Sequence, residues 1–185
     1  MTAERYTQMR EVAPKVHPLC DTFFVLTHET GHRAASVRQL RWSDLDLECR
    51  LVCWRAENDK IGFQHVTPLS EVATDALVGL QKVQGAIGDC WVFPSLTDAA
   101  KPLARETATK WWREAERLAE LEHVPGMGFH SARRKFASEL KGTNLRDLAY
   151  MGGWKNPQTV LTVYQQPEIE VQREALTSRK ALRVG

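Results

Sequence analysis

Apolar and polar positions along this 185-residue chain follow a helical period, interrupted once by a stretch that alternates. Thr2 is placed to cap a first helix running to about Val12, and "HPLCDTFFVLTHETG" reads as a second, closed by Gly31. "HRAASVRQLRW" places Arg33, Val37 and Leu40 on one stripe and predicts a third helix. The period then changes. "DLDLE", "RLVCWRA" and "QHVTPLS" alternate or carry β-branched residues, and "ENDKIG" supplies turn residues, so a small antiparallel sheet is expected. Helical spacing returns over residues 70–84, 104–121, 129–141 and 144–151. Asn156 is expected to cap a helix opened by Pro157 and stopped by Pro167, with a last charged helix over 168–182. The expected fold class is α+β, a mainly helical domain with a small antiparallel β-sheet.

With 43% hydrophobic and 26% charged residues, the chain can bury one substantial core. No signal peptide is evident, and no apolar run approaches the ~20 residues that span a bilayer, so a cytoplasmic location without membrane contact is expected. Cys20, Cys49, Cys53 and Cys90 form no C-x-x-C pair. They are expected to be buried or half-buried free thiols rather than disulfides or a metal site, and no cofactor is called for. A formal charge of +2 excludes nucleic-acid binding by bulk charge alone. Residues 129–164, however, hold six Lys or Arg against two acids, a local excess of four.

Within that segment, "GFHSARRKFASEL" sharpens the picture. At 100° per residue, Phe129, Ala132, Phe136 and Leu140 fall within about 80° of one another, and Arg133 stands at the edge of their stripe. His130 lies about 60° further round, on the flank shared by Arg134 and Lys141. A desolvated guanidinium is costly unless an anion meets it. Arg33 repeats the anomaly. Either arginine alone could be a snorkelling side chain, but two together can converge on one phosphate through bidentate forks. His130, Lys60, Trp154 and Tyr164, each taken alone, read as ordinary core or surface residues.

The joint pattern changes that reading. In order, the chain reads "TGHRAASVRQLRWSDLDLE", "KIGFQHVTPLS", "FHSARRKFASEL" and "YMGGWKNPQTVLTVYQQ", which resembles the catalytic domain of the tyrosine recombinase (phage integrase) family over nearly the whole length. The resemblance implies a catalytic set of Arg33 after a T-G-x-R turn, Lys60 eight residues before Pro68, His130 and Arg133 in an H-x-x-R box, Trp154 after Gly153, and Tyr164 as nucleophile. Many members carry an acid where this chain has Ser36, and Tyr164 follows Trp154 by ten residues where many relatives use nine.

The implied function is that of a site-specific recombinase or integrase. It would cleave and rejoin DNA strands through a covalent 3′-phosphotyrosine without metal, cofactor or ATP, with Lys60 as general acid. The implied partner is double-stranded DNA, on which a homo-oligomer, a tetramer, assembles from a free monomer. Residues 1–185 read as the catalytic domain, without the N-terminal core-binding domain that relatives usually carry, and residues 168–185 as a tail helix exchanged between protomers. Three other readings are weighed: a noncatalytic DNA-binding relative, a type IB topoisomerase-like enzyme, and a metal-dependent nuclease built on Asp44, Asp46 and Glu48.

Overall fold

A computed structural model of the chain describes residues 1–58, 62–164 and 169–181. Helix α1 (Ala3–Val16) starts where the Thr2 hydroxyl accepts the Arg5 N–H at 3.2 Å. It runs one turn beyond the expected end, through Pro14, because Ala13 is fully buried and Val16 packs on the core. Helix α2 (Cys20–Glu29) is the buried axle of the domain, with Phe23, Phe24, Val25 and Leu26 at 1% exposure or less. Gly31 ends it in the left-handed region at φ +63.

The third expected helix shrinks to one turn, α3 (Ala34–Val37). Beyond it the backbone is drawn into pairing with a distant segment: the Val92 N–H donates to Leu40 O and the Trp42 N–H to Cys90 O, both at 2.9 Å. Val37 and Leu40 are buried as their spacing implies, but Arg33 stands in extended conformation at the cap rather than within the helix.

Three antiparallel strands form a sheet in the order β1 (Leu45–Asp46), β2 (Leu51–Trp54) and β3 (His65–Pro68), with Cys53 opposite Val66 and Trp54 opposite His65. "DLDLE" contributes only two residues to it. Asp44 ends a 3-10 turn, and Asp46 accepts the Cys49 N–H at 2.8 Å to shape the following turn. The three acids therefore do not line one extended face.

Helix α4 (Glu71–Gln84) is capped by Ser70 and closed by Gly85 at φ +62; α5 (Arg105–Leu118) buries Trp111 and Trp112. Helix α6 (Phe129–Glu139) and helix α7 (Leu145–Met151), capped by Asn144, lie where expected. Asn156 does cap the next turn, its side chain accepting the Gln158 N–H at 2.9 Å, but the segment that follows is a π-helical turn, Val160–Tyr164. Helix α8 (Ile169–Ala181) completes the described chain.

The apolar residues gather into two clusters. The larger joins α1, α2, α4, α5 and the sheet; the smaller holds Phe136, Ala137, Leu148, Ala149, Trp154 and Val160. Helix α6 serves both. Phe129 meets Phe23 edge to face at 4.9 Å in the first, while Phe136 belongs to the second. Arg133 sits between the two aromatics, at the seam. Cys20 is buried and Cys53 half-buried, but Cys49 and Cys90 are exposed, against expectation, because both fall in turns outside the packed elements; all four are free thiols. Among the described residues no helix is long and apolar enough to cross a membrane.

Candidate active site

Arg133 is 1% exposed, the largest side chain among the fully buried ones. Its Nη1 donates to Gly31 O at 2.5 Å and also to Gly152 O, and its guanidinium carbon lies 3.7 Å from the centroid of the Trp154 ring. Carbonyl dipoles and the indole face both favour a cation and so offset part of the cost of burial. The two carbonyls come from the two turns that bracket the site, one after α2 and one after α7. Both turns need glycine. A Cβ on Gly31 would overlap the Phe136 ring, and one on Gly152 would overlap Trp154.

Arg33 follows the same Gly31 turn by two residues and is half-buried, its backbone at φ −64, ψ 139. His130 occupies the first turn of α6, one turn before Arg133, and its ring is exposed. Desolvation of its inner edge, then the guanidiniums of Arg134, Arg133 and Arg33, lower its pKa below the usual imidazole value. At neutral pH it is therefore a neutral ring able to accept a proton. Trp154 is buried beneath Arg133. The fold thus brings Arg33, His130, Arg133 and Trp154 to one place. Tyr164 closes the π-helical turn that begins at buried Val160. Its side chain, like Lys60, lies outside the described residues.

Two residues at this site escape the sequence reading. His32, between Gly31 and Arg33, is 4% exposed and stacks on Trp54 at 3.6 Å with 8° between the planes. Its Nε2 lies 3.1 Å from Nε2 of His65, which is also 4% exposed. Burial, then His65 and Arg133, push the His32 pKa well below the ordinary value. The available signal was a histidine inside the T-G-x-R turn and another opposite Trp54, and neither spacing is informative alone. With Arg33, Arg133, Gly152 and Gly153 these two rings line a cavity of about 10 Å³, room for about one water.

The acids nearby are already engaged. Asp44, 6% exposed, accepts the Arg41 N–H at 2.9 Å with one oxygen and Arg55 Nε at 2.5 Å with the other. Ser36, where many relatives carry an acid, places its hydroxyl 3.4 Å from the Asn58 carbonyl. Among the described residues no group of three or more His, Cys, Asp or Glu could hold a metal ion.

Comparison with known proteins bears on this geometry. The sequence model of the phage integrase family matches residues 1–170. The chain belongs to the phage integrase family. XerA recombinase superposes with a TM-score of 0.76 at 18% identity, over 97% of this chain and 64% of that one. The Tn1549 transposon integrase, in complex with a circular intermediate DNA, superposes at 0.74 with 16% identity, over 96% of this chain and 65% of its own. A lambda integrase dimer bound to a COC′ core site gives 0.70 at 17% identity, with 91% of this chain and 62% of that one covered. The integrase-family chain therefore has the fold of tyrosine recombinase catalytic domains and spans somewhat under two thirds of these solved chains. No curated protein matches it in sequence.

Proposed function

We propose that this phage integrase-family domain cleaves and rejoins double-stranded DNA through a covalent 3′-phosphotyrosine on Tyr164, as a site-specific recombinase or integrase. The observation that carries the reading is the buried Arg133, held by backbone carbonyls from two turns, with Arg33 two residues beyond one of those carbonyls. A guanidinium locked in this way is preorganised for an oxyanion. It undergoes no reorganisation as charge builds on the nonbridging phosphate oxygens, and an oxyanion donor of this kind is worth ~3 to 4 kcal/mol.

In the proposed reaction the Tyr164 oxygen attacks the scissile phosphorus and its proton passes to the neutral His130. The bond from phosphorus to the 5′ oxygen breaks as Lys60 delivers a proton to that oxygen. Reversal by another 5′ hydroxyl releases the tyrosine, so the bond energy is conserved and no ATP is needed. Trp154 supports the site by carrying Arg133 on its ring face. The family relationship supports DNA as substrate, and a tetramer assembled on DNA from free monomers is the proposed active form. Two of the three acids of the nuclease reading, Asp44 and Asp46, are committed to Arg41, Arg55 and the Cys49 turn, which disfavours that reading.

The test is incubation with nicked suicide duplexes drawn from the DNA flanking the gene that encodes this chain. The expected result is a protein–DNA adduct that survives SDS and excess EDTA and is lost in Tyr164→Phe, while noncovalent binding persists. Binding without an adduct in the wild type would favour a noncatalytic DNA-binding relative. Relaxation of supercoiled plasmid by protein that never pairs two sites would favour the type IB topoisomerase reading.

A further inference from the structure

His32 joins several segments of the site. It follows the Gly31 carbonyl that holds Arg133 and precedes Arg33 in the chain; it stacks on Trp54 of β2 and meets His65 of β3. A Cβ on Gly153, the residue before Trp154, would stand only 2.9 Å from its Nε2. One imidazole is thus clamped between the turn that carries Arg33, the turn that carries Trp154, and the sheet whose β2–β3 hairpin contains Lys60.

The contacts of the two rings also count protons. His32 Nδ1 lies 3.1 Å from Thr30 O, His65 Nδ1 lies 3.2 Å from Phe63 O, and the two Nε2 atoms are 3.1 Å apart. Three such contacts need three N–H groups, and two neutral imidazoles have two. A third proton would make a cation facing Arg133 and Arg33 across a small cavity in whose described lining the carboxylate, Asp44, is already bound to Arg55. Two Nδ1–H tautomers would turn two bare lone pairs toward each other at 3.1 Å. One Nε2–H donating to the other Nε2 relieves that repulsion, at the cost of one Nδ1 facing its carbonyl without a proton, and makes a directional bond across the seam between turn and sheet.

We propose that His32 and His65 are positioning residues, whose single Nε2–H···Nε2 hydrogen bond fixes the Thr30–Arg33 turn against β3 and so aligns Arg33 and Arg133 on one phosphate. The role rests on the strand-transfer reading above, in which those guanidiniums grip the scissile phosphate. It is a demand for alignment rather than for bulk: the aromatic stacking on Trp54 would survive loss of the hydrogen bond, whereas the Arg33-bearing turn would not be held in place against the sheet.

The experiment compares His65→Phe, which keeps a flat ring but cannot hydrogen-bond, with His65→Gln, whose amide can donate to His32 Nε2. Each is assayed on the same nicked suicide duplexes and on a fluorescein-labelled intact duplex of the same sequence. His65→Phe is expected to bind the labelled duplex within about threefold of wild type yet form the adduct about tenfold to a hundredfold more slowly, with His65→Gln recovering most of that rate. Equal adduct rates in His65→Phe and wild type, or equal losses in both variants, would overturn the positioning role. A second measurement needs no variant and no DNA. In ¹⁵N-detected imidazole spectra of the wild-type protein near neutral pH, one Nε2 of the pair should be protonated and the other bare, and two bare or two protonated Nε2 atoms would overturn the proposal. Should the wild type form no adduct on any duplex, the strand-transfer reading fails, and the positioning role, which needs that phosphate, falls with it, whereas failure of the ring-nitrogen result alone leaves strand transfer standing.

Discussion

Arg133 and Trp154 are stacked, guanidinium carbon to indole centroid 3.7 Å, inside a seam where the cation is almost wholly removed from water. The pair belongs to the architecture as well as to the site, since the same guanidinium bonds to Gly31 O in one turn and Gly152 O in the other. The two arginines therefore differ in what they contribute, although both are expected to act on phosphate.

Arg133→Ala should lower both stability and activity. It leaves two buried carbonyls short of a donor, about 1 to 3 kcal/mol each, and opens a void beside Trp154. Arg33→Ala, at a half-buried cap position, should change stability by less than about 1 kcal/mol while slowing adduct formation by orders of magnitude. Urea denaturation and suicide-substrate kinetics on both variants measure the contrast. Similar stability losses in the two would contradict the structural difference.

Glycines with the same backbone angle should tolerate alanine differently. Gly85 closes α4 at φ +62 with nothing within 4 Å of an added Cβ, so Gly85→Ala costs only the backbone strain, about 1 kcal/mol. Gly31, at φ +63, adds overlap with the Phe136 ring and displaces a carbonyl that holds Arg133. Gly31→Ala should therefore cost about 1–3 kcal/mol beyond the strain, as overpacking in a packed core does, and should also slow adduct formation. Thermal melts of the two variants decide this.

Acid should destabilise the domain before its carboxylates titrate. The folded pKa of His32 lies well below its ordinary value through burial, His65 and Arg133, so the unfolded chain takes up the proton first. This contribution is fully present above about pH 6.5 and is lost as pH falls below it, at a slope of up to about 1.4 kcal/mol per pH unit for one histidine. Burial at His17, and desolvation with neighbouring guanidiniums at His130, lower those pKa values and add in the same direction. Urea midpoints measured from about pH 7.5 down to about pH 5.5 should fall, and more shallowly in His32→Gln. A flat profile would show that His32 titrates normally.

Residues 169–185 should be dispensable for folding. The described side chains of α8 are exposed, with Ile169 at 64% and Leu176 at 61%, and such a narrow apolar stripe anchors a helix weakly. Truncation before Ile169 is expected to shift the melting temperature by no more than about 2 °C and to leave noncovalent DNA binding intact. Cooperative assembly on DNA and strand exchange should suffer more than binding, as expected of a tail that docks on a neighbouring protomer. Analytical ultracentrifugation with paired duplexes reads the assembly, and unfolding of the truncated chain would place the segment in the core.

The sequence by itself determined what depends on neighbours along the chain. Apolar spacing located α2, α4, α5 and α6 because burial of a stripe every three to four residues is dictated locally, and the caps Thr2, Ser70 and Asn144 act on N–H groups two to three residues away. The same spacing exposed Arg133 as a cation at the edge of an apolar face, and the ordered T-G-x-R, H-x-x-R and G-W blocks carried the family. Tertiary structure decided whatever depends on distant partners. The helix expected after Arg33 stops after one turn because Leu40 and Trp42 pair with residues 90–92, some fifty positions away. Asp44 and Asp46 of "DLDLE" are drawn off by Arg41, Arg55 and a turn N–H. Among the described residues, the buried guanidinium of Arg133 is met by two carbonyls, one of them 102 residues away. His32 and His65 come together across 33 residues of chain. A hydrogen bond or a ring stack between such segments leaves no periodic trace in sequence, since its register is set only when α2, the sheet and α7 pack together.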